Sequence, residues 1–312
     1  MIHEFAVEPG CLAEWHIFIR LIEQFGVSEG RVISRFPKDW IRMVLERCSS
    51  FTFRQKEILG IEMQRIKRHA LIRSGRVYDG SKGWVENALA QYEPDGRPFW
   101  AVIVKKAPCN ADYLLIAEEI LRDTPRWKVE RDREIVRSIT ELGNALRILL
   151  QMSDQIMFVD RMFDPEEVRW RSVLEQFIFL ATAGRERLPE LEYHLEIKQA
   201  DLGVPESQRR DRFQGKCDLH LSNVLPPSVK LSLKRWTRWH DQSDFFHGRY
   251  ILTDKGGIRI DWGLDSGRQE EKTDVSLLDN DFCMNKIKYF RNESPVYQLI
   301  DTVTVEGKKI VP

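Results

Sequence analysis

Apolar residues recur at helical spacing through most of the first 130 residues. The pattern is clearest over Leu12–Phe25 and Phe53–Arg73, where apolar positions fall three and four residues apart. Shorter helices are predicted near 38–48, 83–91 and 114–121. Phe99–Lys105 is a continuous apolar run of the kind typical of a buried strand. The pattern therefore predicts a mostly helical domain over 1–130, with one strand.

The remaining residues, 131–312, alternate between helical and strand-like patterns. Helices are predicted over Arg133–Met152, Pro165–Ala183 and Gln208–Leu221. Strands are predicted over Gln155–Asp160, Leu191–Lys198 and Ser228–Trp236. Two further strands, Arg249–Thr253 and Ile258–Trp262, flank an Asp-Lys-Gly-Gly turn and predict a hairpin. This alternation predicts an α/β domain with a mixed sheet flanked by helices.

Charge and cysteine content narrow the class of protein. The chain of 312 residues has 48 Lys and Arg against 48 Asp and Glu, so its formal charge is zero. A diffuse positive surface for holding a polyanion is therefore excluded, and any phosphate contact must come from a local site. The five cysteines are scattered and form no Cys-x-x-Cys pair, which fits a reducing cytoplasm. We find no apolar run long enough for a membrane span and no signal-peptide pattern.

The stretch that could carry chemistry is the hairpin and its flanks. His247 and Arg249 are two residues apart, so along a strand they share a face. The return strand brings Gly263 towards the same end of the hairpin, where a small residue permits close backbone approach. An imidazole and a guanidinium that converge there suit a phosphate: Arg249 would bind its oxygens, and His247 could attack phosphorus or transfer a proton. The alternative is an ordinary hairpin with a surface histidine.

The spacing of His247, Arg249 and Asp254 resembles the His-x-Lys-x-x-x-x-Asp signature of the phospholipase D superfamily, with Arg in place of Lys. The block is similar to the phospholipase D-like domains at the C-terminus of MIT-domain proteins and their bacterial relatives. Those domains have a His-Asp-Arg start and a Gly-Leu-Asp end, like Gly263-Leu264-Asp265 here. The resemblance covers about 131–312 and implies a phospholipase D-like α/β domain there.

The resemblance also implies how such a site would work. Active members bring two motif copies together, one histidine forming a phosphohistidine and the other protonating the leaving group. This chain has one copy, so activity would require a homodimer that pairs two His247 residues. The MIT-linked relatives are regarded as phosphate-binding, and bacterial proteins of this sort often belong to defence systems. His247, Arg249 and Asp254 are the catalytic candidates that the resemblance implies, and Gly263 and Asp265 are phosphate-binding candidates.

A run just upstream of the motif interleaves cations with indoles. Its members are Lys234, Arg235, Trp236, Arg238 and Trp239. Such a run could stack on bases and hold phosphates. The alternative is a strand with one core tryptophan and one edge tryptophan.

Other chemical readings are less favoured by the pattern. Asp160 ends a predicted strand, and we expect it to cap the helix that follows Pro165, although it could also lie beside His247. His240, Asp241 and Asp244 fit no zinc-ligand spacing, so no metal or cofactor is predicted. The basic run from Gln64 to His69 reads as a solvated helix face, with a partner or nucleic-acid contact as the alternative. The sequence contains no Walker-type loop of an NTPase and no Gly-x-Gly-x-x-Gly motif of a Rossmann dehydrogenase. It also lacks the Gly-x-Ser-x-Gly motif of an α/β-hydrolase and the His-Glu-x-x-His motif of a zinc protease.

The resemblance therefore implies a bacterial, cytoplasmic, phospholipase D-like protein that engages a phosphodiester, with nucleic acid as the expected partner. Any phosphodiesterase activity would depend on a homodimer. The competing hypothesis is a non-catalytic interaction or scaffold subunit, in which the fold is structural and the helical half binds a partner.

Overall fold

The computed structural model describes residues 1–238, 248–291 and 297–308. The chain divides into two compact units, Met1–Arg131 and Asp132–Pro312, here called the N-terminal and C-terminal units. The boundary that the sequence predicts, between 130 and 131, lies one residue from this division.

The N-terminal unit is built on a parallel sheet. Its strands and α-helices, in chain order, are β1 (His3–Val7), α1 (Trp15–Ile22), β2 (Arg31–Arg35), α2 (Trp40–Arg47), α3 (Phe53–His69), β3 (Leu71–Arg73), α4 (Trp84–Leu89), β4 (Ala101–Val104) and β5 (Leu114–Ile116). The sheet order is β3-β2-β1-β4-β5, and every neighbouring pair is parallel. Because parallel strands need crossover connections, the helices are placed on the faces of this sheet.

Both faces of the N-terminal sheet are buried, and alternate residues of β1 show this. Phe5 and Val7 pack into one core cluster with Phe18 of α1. Ala6, which points the other way, packs into a second cluster with Trp84 of α4. A strand that is covered on both faces has no polar face, so it shows no alternation of apolar and polar residues.

This architecture corrects the expectation of a mostly helical domain with one strand. Only β4 was predicted as a strand, within Phe99–Lys105. The helix predicted over Phe53–Arg73 ends at His69, and β3 follows it. The helix predicted over 114–121 is replaced by β5 and a 3-10 turn, Ala117–Glu119. Strands of three to five buried residues are too short to separate from helix segments by periodicity.

The C-terminal unit has a mixed sheet with helices on both faces, as predicted for an α/β fold. Its elements are β6 (Asp132–Val136), α5 (Ile139–Met152), β7 (Gln155–Val159), α6 (Val168–Thr182), β8 (Glu190–Glu196), α7 (Glu206–Leu221), β9 (Lys230–Arg238), β10 (Tyr250–Thr253), β11 (Gly257–Ile260), β12 (Lys272–Leu277), α8 (Asn280–Phe290) and β13 (Tyr297–Glu306). Within the described residues the sheet order is β13-β9-β8-β7-β10-β11-β12-β6. The central strands β7, β8 and β9 are parallel, and the remaining pairs are antiparallel.

The predicted strands at β7, β8 and β9 and the predicted β10–β11 hairpin are present in the structure. The predicted helix over Arg133–Met152 is shorter, because residues 132–136 form the edge strand β6 against β12. Ser138 then begins α5, since its side chain accepts a hydrogen bond from the Glu141 amide. An exposed edge strand carries too few apolar residues to be distinguished from the first turn of an amphipathic helix.

The register of the hairpin decides which predicted residues can meet. Tyr250 of β10 lies opposite Val159 of β7, and Thr253 lies opposite Ile156. Residue 249 therefore lies at the carboxyl end of β7, beside Asp160. Residue 254 lies at the other end of the same strand.

No helix in the described part of the chain has both the length and the apolar character that a bilayer crossing requires.

A buried polar chain links β8 to β9 on the face covered by α8. Trp236 donates its indole N–H to Nδ1 of His194, at 3.1 Å, and Nε2 of His194 lies 3.0 Å from Glu192. Lys234 pairs with the same carboxylate at 2.5 Å. Since Nδ1 accepts a hydrogen bond, the proton of the neutral imidazole is on Nε2 and is donated to Glu192. Burial lowers the pKa of His194 below its ordinary value, although Glu192 opposes this.

The acid sensitivity of this network is a testable property. Burial raises the pKa of Glu192, but the hydrogen bonds from His194 and Lys234 outweigh it and lower the pKa to about 2. Both Glu192 and His194 therefore bind fewer protons in the folded than in the unfolded chain. Their contribution to stability is complete above the ordinary histidine pKa of about 6.5 and is lost as the pH falls towards 2.

We predict that His194→Gln lowers the thermal midpoint at pH 7 and makes it fall less steeply between pH 7 and pH 5 than in the wild type. Scanning calorimetry across this pH range measures both effects. The control is His16→Gln, because His16 is exposed. Equal slopes for the wild type and His194→Gln would contradict the assignment of a buried neutral imidazole.

Candidate functional site

A cleft of about 830 Å³ opens at the carboxyl end of β7 in the C-terminal unit. We call it the Arg249 cleft. Its cationic lining residues are Arg137, Arg169, Arg249, Arg268 and Lys272. Its carboxylates are Asp160, Asp265 and Glu271, and its indoles are Trp170 and Trp262. Among the described residues, five cations line this cleft against three carboxylates, in a chain with no net charge. One of the cations, Lys272, also pairs with Glu134 outside the cleft, at 2.6 Å.

Asp160 is the buried centre of the cleft. It is 1% exposed and accepts hydrogen bonds from the amides of Met162, at 3.0 Å, and Leu264, at 2.9 Å. The indole N–H of Trp170 also donates to it, at 3.3 Å. The Nε of Arg249 lies 3.9 Å from its Oδ1. Burial raises the pKa of Asp160, and the two amides, Arg249 and Trp170 oppose that shift.

The role of Asp160 differs from the one expected. The sequence analysis assigned it to the cap of the following helix. In the structure α6 begins after Glu167 and has no side-chain cap. The Asp160 carboxylate instead joins the turn after β7 to the loop after β11 and to the Trp170 indole of α6. This places it beside Arg249. The alternative expectation, a position beside His247, falls on a residue outside the described part of the chain.

A second buried carboxylate fixes the arginines of the cleft. Asp265 is 3% exposed and pairs with Arg137 at 2.5 Å and with Arg169 at 3.2 Å. Arg137 also pairs with Glu271 at 3.0 Å. Asp265 therefore holds the two arginines in place; a carboxylate has a negative charge and no donor to offer a phosphate, so its predicted role as a phosphate-binding residue is corrected.

Gly263 permits the close approach of the two carboxylates. A Cβ at this position would overlap Oδ1 of Asp265 and would lie 3.4 Å from Oδ2 of Asp160. The prediction that a small residue is needed near Arg249 thus has a structural reason: the space is filled by carboxylate oxygens.

The cleft exposes both a guanidinium group and an indole ring to solvent, and these could bind a flat, charged ligand. The Arg169 guanidinium lies 4.0 Å from the centre of the Trp170 ring, and its side chain remains 52% exposed. Trp262 is 66% exposed at the cleft. Guanidinium groups bind phosphate oxygens, and an exposed indole offers a stacking surface.

The buried phenol of Tyr193 completes the surroundings of the two carboxylates. Its hydroxyl is buried and has no hydrogen-bond partner among the described residues. Burial raises the pKa of Tyr193, and the negative charges of Asp160 and Asp265 raise it further. The phenol therefore stays protonated.

Asp254 does not join Arg249. Its carboxylate accepts hydrogen bonds from the amides of Asp154 and Gln155, at the start of β7, and pairs with Lys255. Arg249 directly precedes β10 and Asp254 directly follows it, so the two residues lie at opposite ends of this strand. Its assignment as a catalytic residue is therefore corrected: it fixes the hairpin turn against β7.

The upstream run of cations and indoles is also corrected where the structure describes it. Trp236 is 1% exposed and packs in the core. Arg235 is buried and forms a bidentate pair with Asp301, at 2.8 Å for both contacts. Lys234 is held by Glu192. Arg235 and Trp236 are thus committed inside the protein, because alternate residues of a strand covered on both faces point into two cores. Lys234 is 22% exposed and is engaged by its ion pair.

Several predicted residues lie outside the described part of the structure. These are His247, Trp239, His240, Asp241 and Asp244, together with the side chain of Arg238. His247 directly precedes the described residues Gly248 and Arg249 in the chain.

The cleft also contains residues that the sequence analysis missed. They are Arg137, Arg169, Trp170, Trp262, Arg268 and Lys272. They come from three separate segments of the chain, residue 137, residues 169–170 and residues 262–272, so no single local motif joins them. The one sequence signal was the position of Asp160 at the end of a buried strand, because sites of α/β sheets gather at carboxyl ends.

The carboxyl ends of the central strands in the N-terminal unit offer a second place to look for chemistry. Glu8 follows β1 and accepts a hydrogen bond from the Lys105 amide after β4, at 2.7 Å. Cys11 lies nearby, and burial, followed by the charge of Glu8, raises the pKa of its thiol. Since thiolates rather than thiols are nucleophilic, this cysteine is inert.

One set of side chains in the described residues has ligand atoms close enough to share a metal ion. Glu14, His16 and Glu118 bring theirs within 4.8 Å of one another. Glu14, however, already pairs with Lys105 at 2.7 Å. Exposed carboxylates of this kind commonly occur without a metal, and we assign none.

Comparison with known proteins does not assign the chain to a family. No protein-family model matches the chain, and no curated protein matches it. Among solved structures, one match is that of TrmBL2, described as an archaeal chromatin protein with a novel mode of DNA binding. It is 14% identical, has a TM-score of 0.28, and the match covers 59% of each chain. At this TM-score the similarity supports no conclusion about fold or function.

The pairing of Arg137 with Asp265 predicts a large effect on stability. We expect Arg137→Met to lower the free energy of unfolding by about 3 kcal/mol, because it leaves a buried carboxylate with one exposed partner. Denaturant unfolding measures the loss. The matched control is Arg259→Met, which removes an arginine that is 48% exposed. Equal stability of the two variants would contradict the structural role of the pair.

Proposed function

We propose that the C-terminal unit binds the phosphodiester backbone of a nucleic acid in the Arg249 cleft. The observation that supports this most is the excess of cations around Asp160 and Asp265, next to an exposed indole. Net neutrality of the chain argues that the contact is local, with few phosphates engaged at once.

The ion pairs of the cleft indicate which cations would face the ligand. Arg137 is buried against Asp265 and Glu271, so it supports the site from behind. Arg169 is half-exposed, and Arg268 is exposed with no ion pair among the described residues. Arg249 is 20% exposed and lies over the buried Asp160. A phosphate that contacts Arg249, Arg169 and Arg268 would receive charge-assisted hydrogen bonds, and Trp262 would stack on a neighbouring base.

We also propose catalysis at this site, and this second step rests on the resemblance to the phospholipase D superfamily. His247 precedes Arg249 by two residues, so a phosphodiesterase would use its imidazole against a phosphate held by Arg249. One motif copy per chain means that two chains would have to bring their His247 residues together. The bacterial, cytoplasmic and defence-related setting comes from the same resemblance.

The second candidate is a scaffold or interaction subunit. The burial of Trp236 and the ion pairs of Lys234 and Arg235 favour it, because three of the expected ligand-binding side chains have structural roles. In that case the Arg249 cleft would be a stabilising charge network without a nucleic-acid partner.

Binding is tested by removing the central arginine. We expect Arg249→Ala to weaken binding of a fluorescein-labelled 20-mer about tenfold, since a hydrogen bond to a charged group contributes about 1.5–3 kcal/mol. The slope of log affinity against log salt should shrink by about one. Fluorescence anisotropy with single-stranded and duplex DNA and RNA measures both quantities.

The control for this binding test is Arg42→Ala, which removes an exposed arginine of α2. Arg169→Ala is a second test variant. The Arg169 side chain is half-exposed, so we expect its removal to disturb the folded state less than removal of Arg249 does. Thermal unfolding confirms that each variant is folded. If Arg249→Ala and Arg169→Ala bind as well as Arg42→Ala, the scaffold hypothesis is favoured.

Catalysis is tested separately with His247→Ala. We expect the wild type to hydrolyse bis-(p-nitrophenyl) phosphate faster than His247→Ala, with a specific activity that rises with protein concentration because a dimer is required. Release of p-nitrophenol is followed by absorbance. Equal background rates would rule out catalysis by His247 while leaving binding at Arg249 intact.

A further inference from the structure

We propose that a second cavity of the C-terminal unit binds a small organic anion that carries one apolar ring. This Arg161 pocket has a volume of about 440 Å³. It lies between the turn after β7, the end of β8 and α7, and Arg161, Ile197, Arg212 and Phe213 are among its lining residues. The proposal does not depend on nucleic-acid binding in the Arg249 cleft.

The position of the pocket is one where ligands commonly bind. It opens beyond the carboxyl ends of the parallel strands β7 and β8, which end at Val159 and Glu196. Binding sites of α/β sheets gather at this edge, because the loops that follow the strands are free to vary there. The volume falls within the range of small-molecule sites, about 300–1,000 Å³.

Most charges in the pocket are already paired. Asp164 holds Lys198 at 3.0 Å and Lys216 at 2.8 Å. Partial burial raises the pKa of Asp164, but hydrogen bonds from the two lysines outweigh this and lower it to about 2. Arg209 and Arg235 both pair with Asp301. These residues form a fixed charged wall that needs no ligand.

Two guanidinium groups of the pocket lining, those of Arg161 and Arg212, are not part of these ion pairs. Among the described residues, neither Arg161 nor Arg212 forms an ion pair. The Nε of Arg161 is buried and has no hydrogen-bond partner there. A buried donor without an acceptor costs about 1–3 kcal/mol, and an anionic oxygen in the pocket would supply the acceptor. Glu196 contributes one opposing charge, so the unpaired lining charges still favour an anion.

Most of the remaining lining residues are apolar, which selects against a bare inorganic ion. Phe163, Leu195, Ile197 and Phe213 are buried and line the cavity. The Arg235 guanidinium covers one face of Phe213 at 4.2 Å, which fixes the orientation of that ring. A ligand with a ring against this wall and an acidic group towards Arg161 and Arg212 would satisfy both halves of the pocket. Phosphates and carboxylates share this chemistry.

Isothermal titration calorimetry with the full chain tests the proposal. The probes are phenyl phosphate and benzoate, with inorganic phosphate and benzyl alcohol as the probes that lack the ring or the charge. We expect phenyl phosphate, benzoate or both to bind at least about tenfold more tightly than the two partial probes. The stronger of the two ring anions identifies the acidic group. Binding of neither, or equal binding of a partial probe, would overturn the proposal.

Variants locate the binding. Arg212→Ala should weaken binding of the preferred ring anion about fivefold to tenfold, and it is exposed, so it should not affect folding. Arg161→Met should weaken it at least as much. The control is Arg42→Ala, which should bind as the wild type does. If Arg212→Ala also binds like the wild type, the pocket is not the site. Oligonucleotide binding by Arg212→Ala reports separately on the Arg249 cleft.

Discussion

The constraint on which the C-terminal unit depends is the burial of the Asp160 carboxylate at the end of β7. A buried carboxylate is costly unless hydrogen-bond donors surround it. The donors to Asp160 come from the turn after β7, from α6 and from the loop after β11. The carboxylate therefore ties together three segments that are distant in sequence. It also lies 3.9 Å from Arg249, which lines the cleft, and the neighbouring Asp265 pairs with Arg137 and Arg169.

This arrangement explains how a chain of zero net charge can present a positive site. Two of the cleft carboxylates, Asp160 and Asp265, are buried beside the arginines, whereas the guanidinium groups of Arg169 and Arg268 are exposed. The charge that the cleft presents to solvent then depends on which of its charged side chains are buried, and not on the composition of the whole chain. It also explains why Gly263 has no side chain: the volume that a Cβ would occupy is taken by carboxylate oxygens.

Much of the C-terminal unit could be predicted from sequence, because its central strands are long enough for their patterns to be read. The β10–β11 hairpin was identified from its turn residues, and the place of Gly263 near Arg249 followed from the hairpin geometry. The N-terminal sheet could not be predicted in the same way. Its strands β2, β3 and β5 are three to five residues long and lie beside helices, so their periodicity carries too little information.

The candidate site was only partly predictable for a different physical reason. Arg249 was found because it belongs to a local motif, but Arg169, Trp262 and Arg268 reach the cleft through tertiary folding. Conversely, the local run from Lys234 to Trp236 has the pattern of a nucleic-acid surface, but Arg235 and Trp236 are buried and Lys234 is held in an ion pair. Sequence alternation identifies β9 as a strand, but it does not show that Asp301 and Glu192 neutralise its cations from neighbouring strands.

The most direct test of the account is a crystal structure of the full chain with a thymidine tetranucleotide. We expect a phosphate within hydrogen-bond distance of Arg249 and Arg169, with a base stacked on Trp262. An oligonucleotide bound elsewhere on the chain while the Arg249 cleft contains none would contradict it.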